Sequence, residues 1–155
     1  MEQPQPTLPS VAADTARGAL ENVCSGAQLD QVARYYGPGF LDHVNGAERR
    51  GHACVRQSVA RYRRLISSMT VTVEDQVAQS ERVASRFTVR GIVLGRPVVI
   101  MGITISRLEN GVIQEDWSVT DTLSLLRQIG LWRLMWLGVR GLPALRGRNS
   151  ALGAF

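Results

Sequence analysis

The segment Val112–Asp121 holds the side chains best suited to proton-transfer chemistry. Alternate residues of a β-strand share a face, so a strand here would place Glu115, Trp117 and Asp121 on one side. Burial of a carboxylate against apolar surface raises its pKa toward the range of a general acid or base. The pattern predicts a proton-transfer site with Asp121 as its main group and Glu115 as its second. Asp121 also precedes a predicted helix, and on spacing alone an N-cap is its commoner role.

His43 and Arg107 are two further candidates. His43 ends a predicted short strand, where it could donate a hydrogen bond to a substrate carbonyl or enolate. A hydrogen bond from His43 to a backbone carbonyl is an equally good interpretation. Arg107 lies on the third long strand and could contact ligand or pair with Glu115 instead.

Aromatic and thioether side chains suggest a pocket for a flat, largely apolar ligand. The candidates are Tyr36, Tyr62, Met101 and Trp117. The same residues could be plain core, which is the preferred interpretation for Tyr62. The expected partner is therefore a small apolar or aromatic molecule.

Composition excludes several classes of enzyme. All 18 basic residues are arginine, so the chain has no lysine for a Schiff base or a P-loop. The two cysteines and two histidines have no zinc-ligand spacing, and no metal is expected. Two cysteines also form no disulfide framework, and we expect reduced thiols in the cytoplasm.

The net charge of +5 is confined to one end of the chain. Residues 1–126 hold 13 arginines and all 13 acids, whereas residues 127–155 hold five arginines and no acid. A neutral body argues against nucleic-acid binding, which requires a basic face on the fold. Residues 1–12 are predicted to be a disordered lead, 13–139 one domain, and 140–155 a flexible basic tail; no membrane association is expected.

Helical periodicity precedes strand periodicity along the chain, which is the α+β pattern. Helices are predicted from Ala12 to Tyr36 with a break at Ser25-Gly26, from Gly51 to Ile66, and from Leu123 onward. A short strand covers Phe40–Val44, and four strands follow residue 68, the last two joined at Asn110-Gly111. Residues 98–105 are apolar on both faces, which predicts a homodimer through the outer face of the sheet.

The order of these motifs resembles the SnoaL-like polyketide cyclases of the nuclear-transport-factor-2-like superfamily. The matching motifs include Asp42-His43, Gly51, Arg90-Gly91, Glu115-x-Trp117-x-x-x-Asp121 and Leu125-Leu-Arg-Gln-Ile-Gly130. The resemblance implies a cone-shaped antiparallel sheet, a cofactor-free ring closure, and Asp121 as the general acid/base. A histidine that family cyclases often carry near the third strand is absent, since Met101 and Arg107 occupy that strand.

Three functions follow as hypotheses. The first is an aldol-type cyclase of a polyketide-like secondary metabolite, as in antibiotic biosynthesis, in which Asp121 removes a proton next to a carbonyl and proximity supplies much of the rate. The second, favoured by the missing histidine, is opening of an epoxy alcohol to a cyclic ether or a diol by Asp121 with Glu115 or His43. The third is a non-catalytic ligand-binding or accessory subunit.

Overall fold

The computed structural model describes the backbone of residues 8–130 and the side chains of residues 10–130. A π-helical turn, Ala19–Cys24, continues the first helix, and a 3-10 turn, Leu29–Gln31, precedes the second. The predicted tail, and the predicted helix beyond Gly130, lie outside these residues. In chain order the helices and strands are α1 (Leu8–Gly18), α2 (Val32–Tyr35), β1 (Tyr36–Val44), β2 (Ala47–Arg50), α3 (Gly51–Leu65), β3 (Ser67–Gln79), β4 (Arg82–Val93), β5 (Arg96–Glu109), β6 (Val112–Thr120) and α4 (Thr122–Ile129).

The strands form one curved sheet in the order β2-β1-β6-β5-β4-β3. Strands β1 and β6 are parallel, and every other neighbouring pair is antiparallel. The early strands β1 and β2 thereby join the last strand, β6, while β3 forms the far edge. The α+β class predicted from periodicity is confirmed, with the helices on the concave face of the sheet.

Two asparagine-glycine pairs form tight turns. Asn110 and Gly111 have φ angles of 52° and 78°, which confirms the predicted hairpin between β5 and β6. Asn45 and Gly46, with φ angles of 48° and 84°, join β1 to β2 in the same way. This second hairpin was not predicted, although its Asn-Gly pair is the same turn signal as Asn110-Gly111.

The core lies between the helices and the concave face. Small residues on α1, such as Ala12 and Ala16, allow that helix to approach the sheet closely, where Phe40 is buried. At the other end, Ile129 of α4 packs on Val98 and Ile100 of β5. The helices also cover a third cluster, in which Leu20 packs with Val71, Val73 and Phe87. A cavity lies beside these clusters.

Strand β5 is apolar on both faces, as predicted. Val98 and Ile100 are buried beneath the helices, with exposed fractions of 1% and 6%. Val99 and Met101 alternate with them on the convex face and are exposed by 46% and 54%. The convex face therefore presents large apolar side chains to solvent in this single chain.

Candidate active site

A cavity of about 510 Å³ opens between the concave face of the sheet and the helices. This volume lies in the range of small-molecule sites. Side chains such as Val55, Val59, Phe87, Val89 and Ile100 make most of its wall apolar. The polar groups that line it include Asp42, Asp116, Ser118 and Thr120. An apolar wall with few polar groups favours binding of a largely apolar ligand that carries oxygen functions.

A β-bulge decides which residues of β6 face this cavity. Leu108 pairs with Ile113 and Arg107 pairs with Glu115, so Gln114 is an extra residue on β6. Ile113 faces the core, so without a bulge the odd-numbered residues of β6 would all face inward. The extra residue moves the inward positions after Gln114 to the even-numbered residues. Asp116, Ser118 and Thr120 therefore face inward, and the prediction that Glu115, Trp117 and Asp121 face the cavity is wrong.

Asp116 is the most strongly perturbed carboxyl group of the cavity. Its side chain is 7% exposed, and its Oδ1 atom is buried without a hydrogen-bond partner among residues 8–130. Burial raises the pKa of Asp116 from 3.8 to about 7, the negative charge of Asp42 adds to the rise, and a hydrogen bond with Ser106 opposes it. Near neutral pH this carboxyl can therefore both accept and donate a proton.

Asp42 is the second carboxyl group on the concave face. It lies directly across from Asp116, because residues 42 and 116 are register partners on the parallel strands β1 and β6. Burial raises the pKa of Asp42, while the positive charges of Arg49 and His43 lower it. Two carboxyl groups side by side do not readily ionise together, so the pair tends to hold one proton.

Tyr36 and Tyr62 both line the cavity. The preferred interpretation of Tyr62 as core is wrong, because Tyr62 is 38% exposed. The Tyr36 hydroxyl lies 3.5 Å from Cys24 Sγ. Burial raises the pKa of Tyr36 well above its usual value and that of Cys24 to about 12. Both groups therefore stay protonated at neutral pH and are hydrogen-bonded to each other.

Glu115, His43 and Arg107 form an ion-pair cluster on the convex face. Glu115 Oε1 lies 3.0 Å from His43 Nε2, and Glu115 Oε2 accepts a hydrogen bond of 3.2 Å from Arg107 Nε. The hydrogen bond with His43, followed by that with Arg107, lowers the pKa of Glu115. Trp117 stacks on His43 with ring centroids 5.5 Å apart. These predicted site residues contact one another, away from the cavity.

Asp121 and Met101 also lie outside the cavity wall. Oδ1 of Asp121 accepts a hydrogen bond of 2.9 Å from the backbone N–H of Ser124, so Asp121 is the N-cap of α4. This was the alternative left open by the spacing. Met101 is on the convex face of β5, because the inward positions of that strand are even-numbered.

Sequence reasoning missed Asp116 and Arg49, and it quoted Asp42 only as part of a motif. A signal for Asp42 existed, because it alternates with the apolar residues Phe40 and Val44 that also line the cavity. Asp116 carried no comparable signal, since its orientation depends on the bulge at Gln114.

The fold is that of the nuclear-transport-factor-2-like proteins. The sequence model of the SnoaL-like polyketide cyclase family matches residues 14–129. The chain therefore belongs to the SnoaL-like polyketide cyclase family. No curated protein sequence matches it.

Solved structures share this fold. Wild-type IdmH from Streptomyces antibioticus is 23% identical, with a TM-score of 0.70 over 77% of this chain and 98% of that chain. TsrD from Streptomyces laurentii is 22% identical, with a TM-score of 0.62 over 77% and 92%. An LEH-like epoxide hydrolase of M. tuberculosis is 17% identical, with a TM-score of 0.64 over 78% and 93%. Within residues 8–130, no helix is long and apolar enough to cross a membrane.

Proposed function

We propose that the protein is an acid/base cyclase of a polyketide-like metabolite and that Asp116 is its proton-transfer group. The observation that carries this proposal is the Oδ1 atom of Asp116, buried without a partner beside an apolar cavity. An enzyme that must take up and release a proton needs such a carboxyl with a pKa near the working pH. The Asp121 carboxylate, in contrast, already accepts a hydrogen bond as a helix cap.

In this cyclisation the Asp116 carboxylate removes a proton from the carbon next to a substrate carbonyl. The resulting enolate carbon attacks a second carbonyl of the folded chain, forming a carbon–carbon bond. Asp116 then returns the proton to the new alkoxide oxygen. The net change is a ring closure without oxidation or reduction, so the chemistry itself calls for no cofactor. The apolar wall would hold the two carbonyls close together, which supplies much of the rate.

Hydrogen–deuterium exchange into β-tetralone tests this proposal, because the probe is a flat aromatic ketone with acidic protons next to its carbonyl. We expect the protein in D₂O to accelerate exchange above the buffer rate, as followed by proton NMR. Asp116→Asn should lower the enzymatic rate by about 10²- to 10⁴-fold. Asp121→Asn is the matched control and should retain most of it.

Loss of exchange in Asp121→Asn with retention in Asp116→Asn would instead support the residue predicted from the family motif. If the protein binds β-tetralone and both variants exchange it like the wild type, neither aspartate is the base. Binding without any exchange by the wild-type protein would favour a non-catalytic ligand-binding or accessory subunit.

Epoxide opening is a second candidate function, favoured by the adjacent carboxyl groups of Asp42 and Asp116. A protonated Asp116 would donate its proton to the epoxide oxygen as the carbon–oxygen bond breaks. An ionised Asp42 would accept the proton of the attacking water or substrate hydroxyl. The product would be a diol or a cyclic ether, and the shared fold of the M. tuberculosis epoxide hydrolase is compatible with this chemistry.

Hydrolysis of indene oxide, measured by chromatography of the diol, separates the two candidates. Epoxide opening requires both carboxyl groups, so Asp42→Asn and Asp116→Asn should each abolish diol formation. A protein that exchanges β-tetralone but leaves indene oxide unchanged would contradict this second function.

The convex face of the sheet is the proposed dimer interface. Exposed apolar side chains continue from β5 onto β6, where Val119 is 67% exposed and pairs with Ile103. Such contiguous apolar surface is uncommon on monomers, and a second copy could cover it by presenting the same surface. We define this convex apolar patch as Val99, Met101, Ile103, Ile105, Trp117 and Val119.

Light scattering after size-exclusion chromatography tests the dimer. Val119→Glu should convert a dimer into a monomer, because it places a charge within the convex apolar patch. Val11→Glu, at an exposed position of α1 away from the convex face, is the control and should leave the mass unchanged. A wild-type protein with the mass of one chain would contradict the proposal.

A further inference from the structure

Four polar side chains form a row across the concave face of the sheet. Arg49 on β2 is the register partner of Asp42 on β1. Asp42 is the partner of Asp116 on β6, and Asp116 is the partner of Ser106 on β5. The order of the row is therefore a cation, two carboxyl groups and a hydroxyl. The two carboxyl groups have different outer neighbours, because a positive charge lies beside Asp42 and a neutral hydroxyl lies beside Asp116.

Arg49 is held on the concave side of the sheet. Its Nη1 atom donates a hydrogen bond of 3.1 Å to Ser58 Oγ on α3, and Ser58 lines the cavity. The neighbouring Arg50 lies on the opposite side of β2 and is paired with Glu48. Arg49 is thus the arginine of this strand whose charge faces the carboxyl pair.

We propose that Arg49 is a positioning residue that keeps Asp42 ionised and thereby leaves Asp116 as the carboxyl that exchanges protons with the substrate. This inference rests on the proposed function of Asp116. An ionised Asp42 next to Asp116 makes loss of the Asp116 proton less favourable, so the proton of the pair resides on Asp116. The row thus assigns one role to each carboxyl group: Asp42 supplies fixed negative charge and Asp116 supplies the mobile proton.

Other ionisable groups face the pair from the elements around it. Arg64 of α3 also lines the cavity but does not shift the pKa of either carboxyl group. The remaining groups do not break the asymmetry of the pair. Those on the concave side are thiols and phenols, which are neutral at neutral pH, and His43 acts on Asp42 from the opposite face. These groups are Cys24 from the π-helical turn, Tyr36 from β1, Cys54 and Tyr62 from α3, and His43 from β1.

A carboxyl NMR titration of the ligand-free protein tests the row without any assumption about substrate. The protein is labelled with ¹³C-aspartate, and the resonances of residues 42 and 116 are assigned from Asp42→Asn and Asp116→Asn spectra. The wild-type protein should show Asp42 titrating at lower pH than Asp116.

The variants should move the Asp116 midpoint in opposite directions. Asp42→Asn removes a negative neighbour and should lower that midpoint by about one pH unit or more. Arg49→Gln removes the cation and should raise the midpoints of the pair, while Arg49→Lys retains the charge and should restore them. The acid limb of the β-tetralone exchange rate should move with the Asp116 midpoint in each variant.

Two outcomes would overturn this inference. In one, Arg49→Gln leaves both midpoints in place while circular dichroism shows a folded protein. In the other, Asp42 titrates above Asp116 in the wild type. Either result leaves the proposed function standing if Asp116→Asn still abolishes exchange. Conversely, shifted midpoints in a protein that binds β-tetralone without exchanging it would support the role of Arg49 but refute the proposed chemistry.

Discussion

Glu115 and Asp116 are consecutive acidic residues of β6 with opposite electrostatic environments. Glu115 points to the convex face, where His43 and Arg107 pair with it and lower its pKa. Asp116 points to the cavity, where burial raises its pKa to about 7. The comparison shows that neighbouring cations favour the ionised form of a carboxyl group and lower its pKa. Burial without a cation raises the pKa toward neutral pH, where the group can exchange protons. The concave face therefore carries the carboxyl group with the raised pKa, and the convex face carries the one with the lowered pKa.

The largest effect expected from this comparison is on the pH dependence of stability. Because the pKa of Asp116 is raised in the folded state, its contribution to the free energy of unfolding is greatest below about pH 4 and is lost as the pH rises toward 7. The rise from 3.8 to about 7 corresponds to about 4 kcal/mol. Asp116→Asn should therefore gain stability relative to wild type as the pH rises from 4 to 8, as measured by urea unfolding.

The contribution of Glu115 to the free energy of unfolding should change with pH in the opposite direction, and Glu115→Gln tests this. The pKa of Glu115 is lowered in the folded state, so its favourable contribution is present at neutral pH and is lost as the pH falls. The difference between wild type and Glu115→Gln should shrink toward acid pH. Parallel stability curves for Asp116→Asn and wild type from pH 4 to 8 would show that burial does not perturb Asp116.

The fold was largely predictable from the sequence, whereas the orientation of the site was not. Regular alternation and the Asn110-Gly111 turn predicted the four long strands, because these signals are local. The inward orientation of Asp116 depends on one bulged residue, Gln114, which a period of two cannot reveal. Likewise, the position of Asp42 beside Asp116 in the sheet arises from parallel pairing of two strands far apart in sequence. The spacing therefore predicted that Glu115 and Trp117 face inward, whereas the bulge places Asp116 on that face instead.

A substitution that disturbs packing on the concave face should have an intermediate effect on the free energy of unfolding. The ring of Phe87 lies over Gly102, and a Cβ at residue 102 would come within 2.5 Å of Phe87 Cζ. Gly102→Ala should push this ring into the cavity and cost about 1–3 kcal/mol of unfolding free energy. Val77→Ala, at an exposed position of β3, should stay within about 0.5 kcal/mol. Equal stabilities of the two variants by thermal unfolding would indicate that Phe87 relaxes freely into the cavity.

The smallest effect concerns Asp121, the carboxylate that follows β6. In the described part of the chain, Asp121 is neither ion-paired like Glu115 nor buried like Asp116. Its carboxylate caps α4 by accepting a hydrogen bond from the backbone N–H of Ser124. Asp121→Ala should cost about 1 kcal/mol of unfolding free energy, as expected for loss of an N-cap. Asp121→Ser keeps a capping oxygen and should recover most of this stability while removing the charge. If Asp121→Ser instead is as stable as wild type but loses β-tetralone exchange, the carboxylate of Asp121 is required for proton transfer at the end of the cavity that Thr120 and Thr122 line.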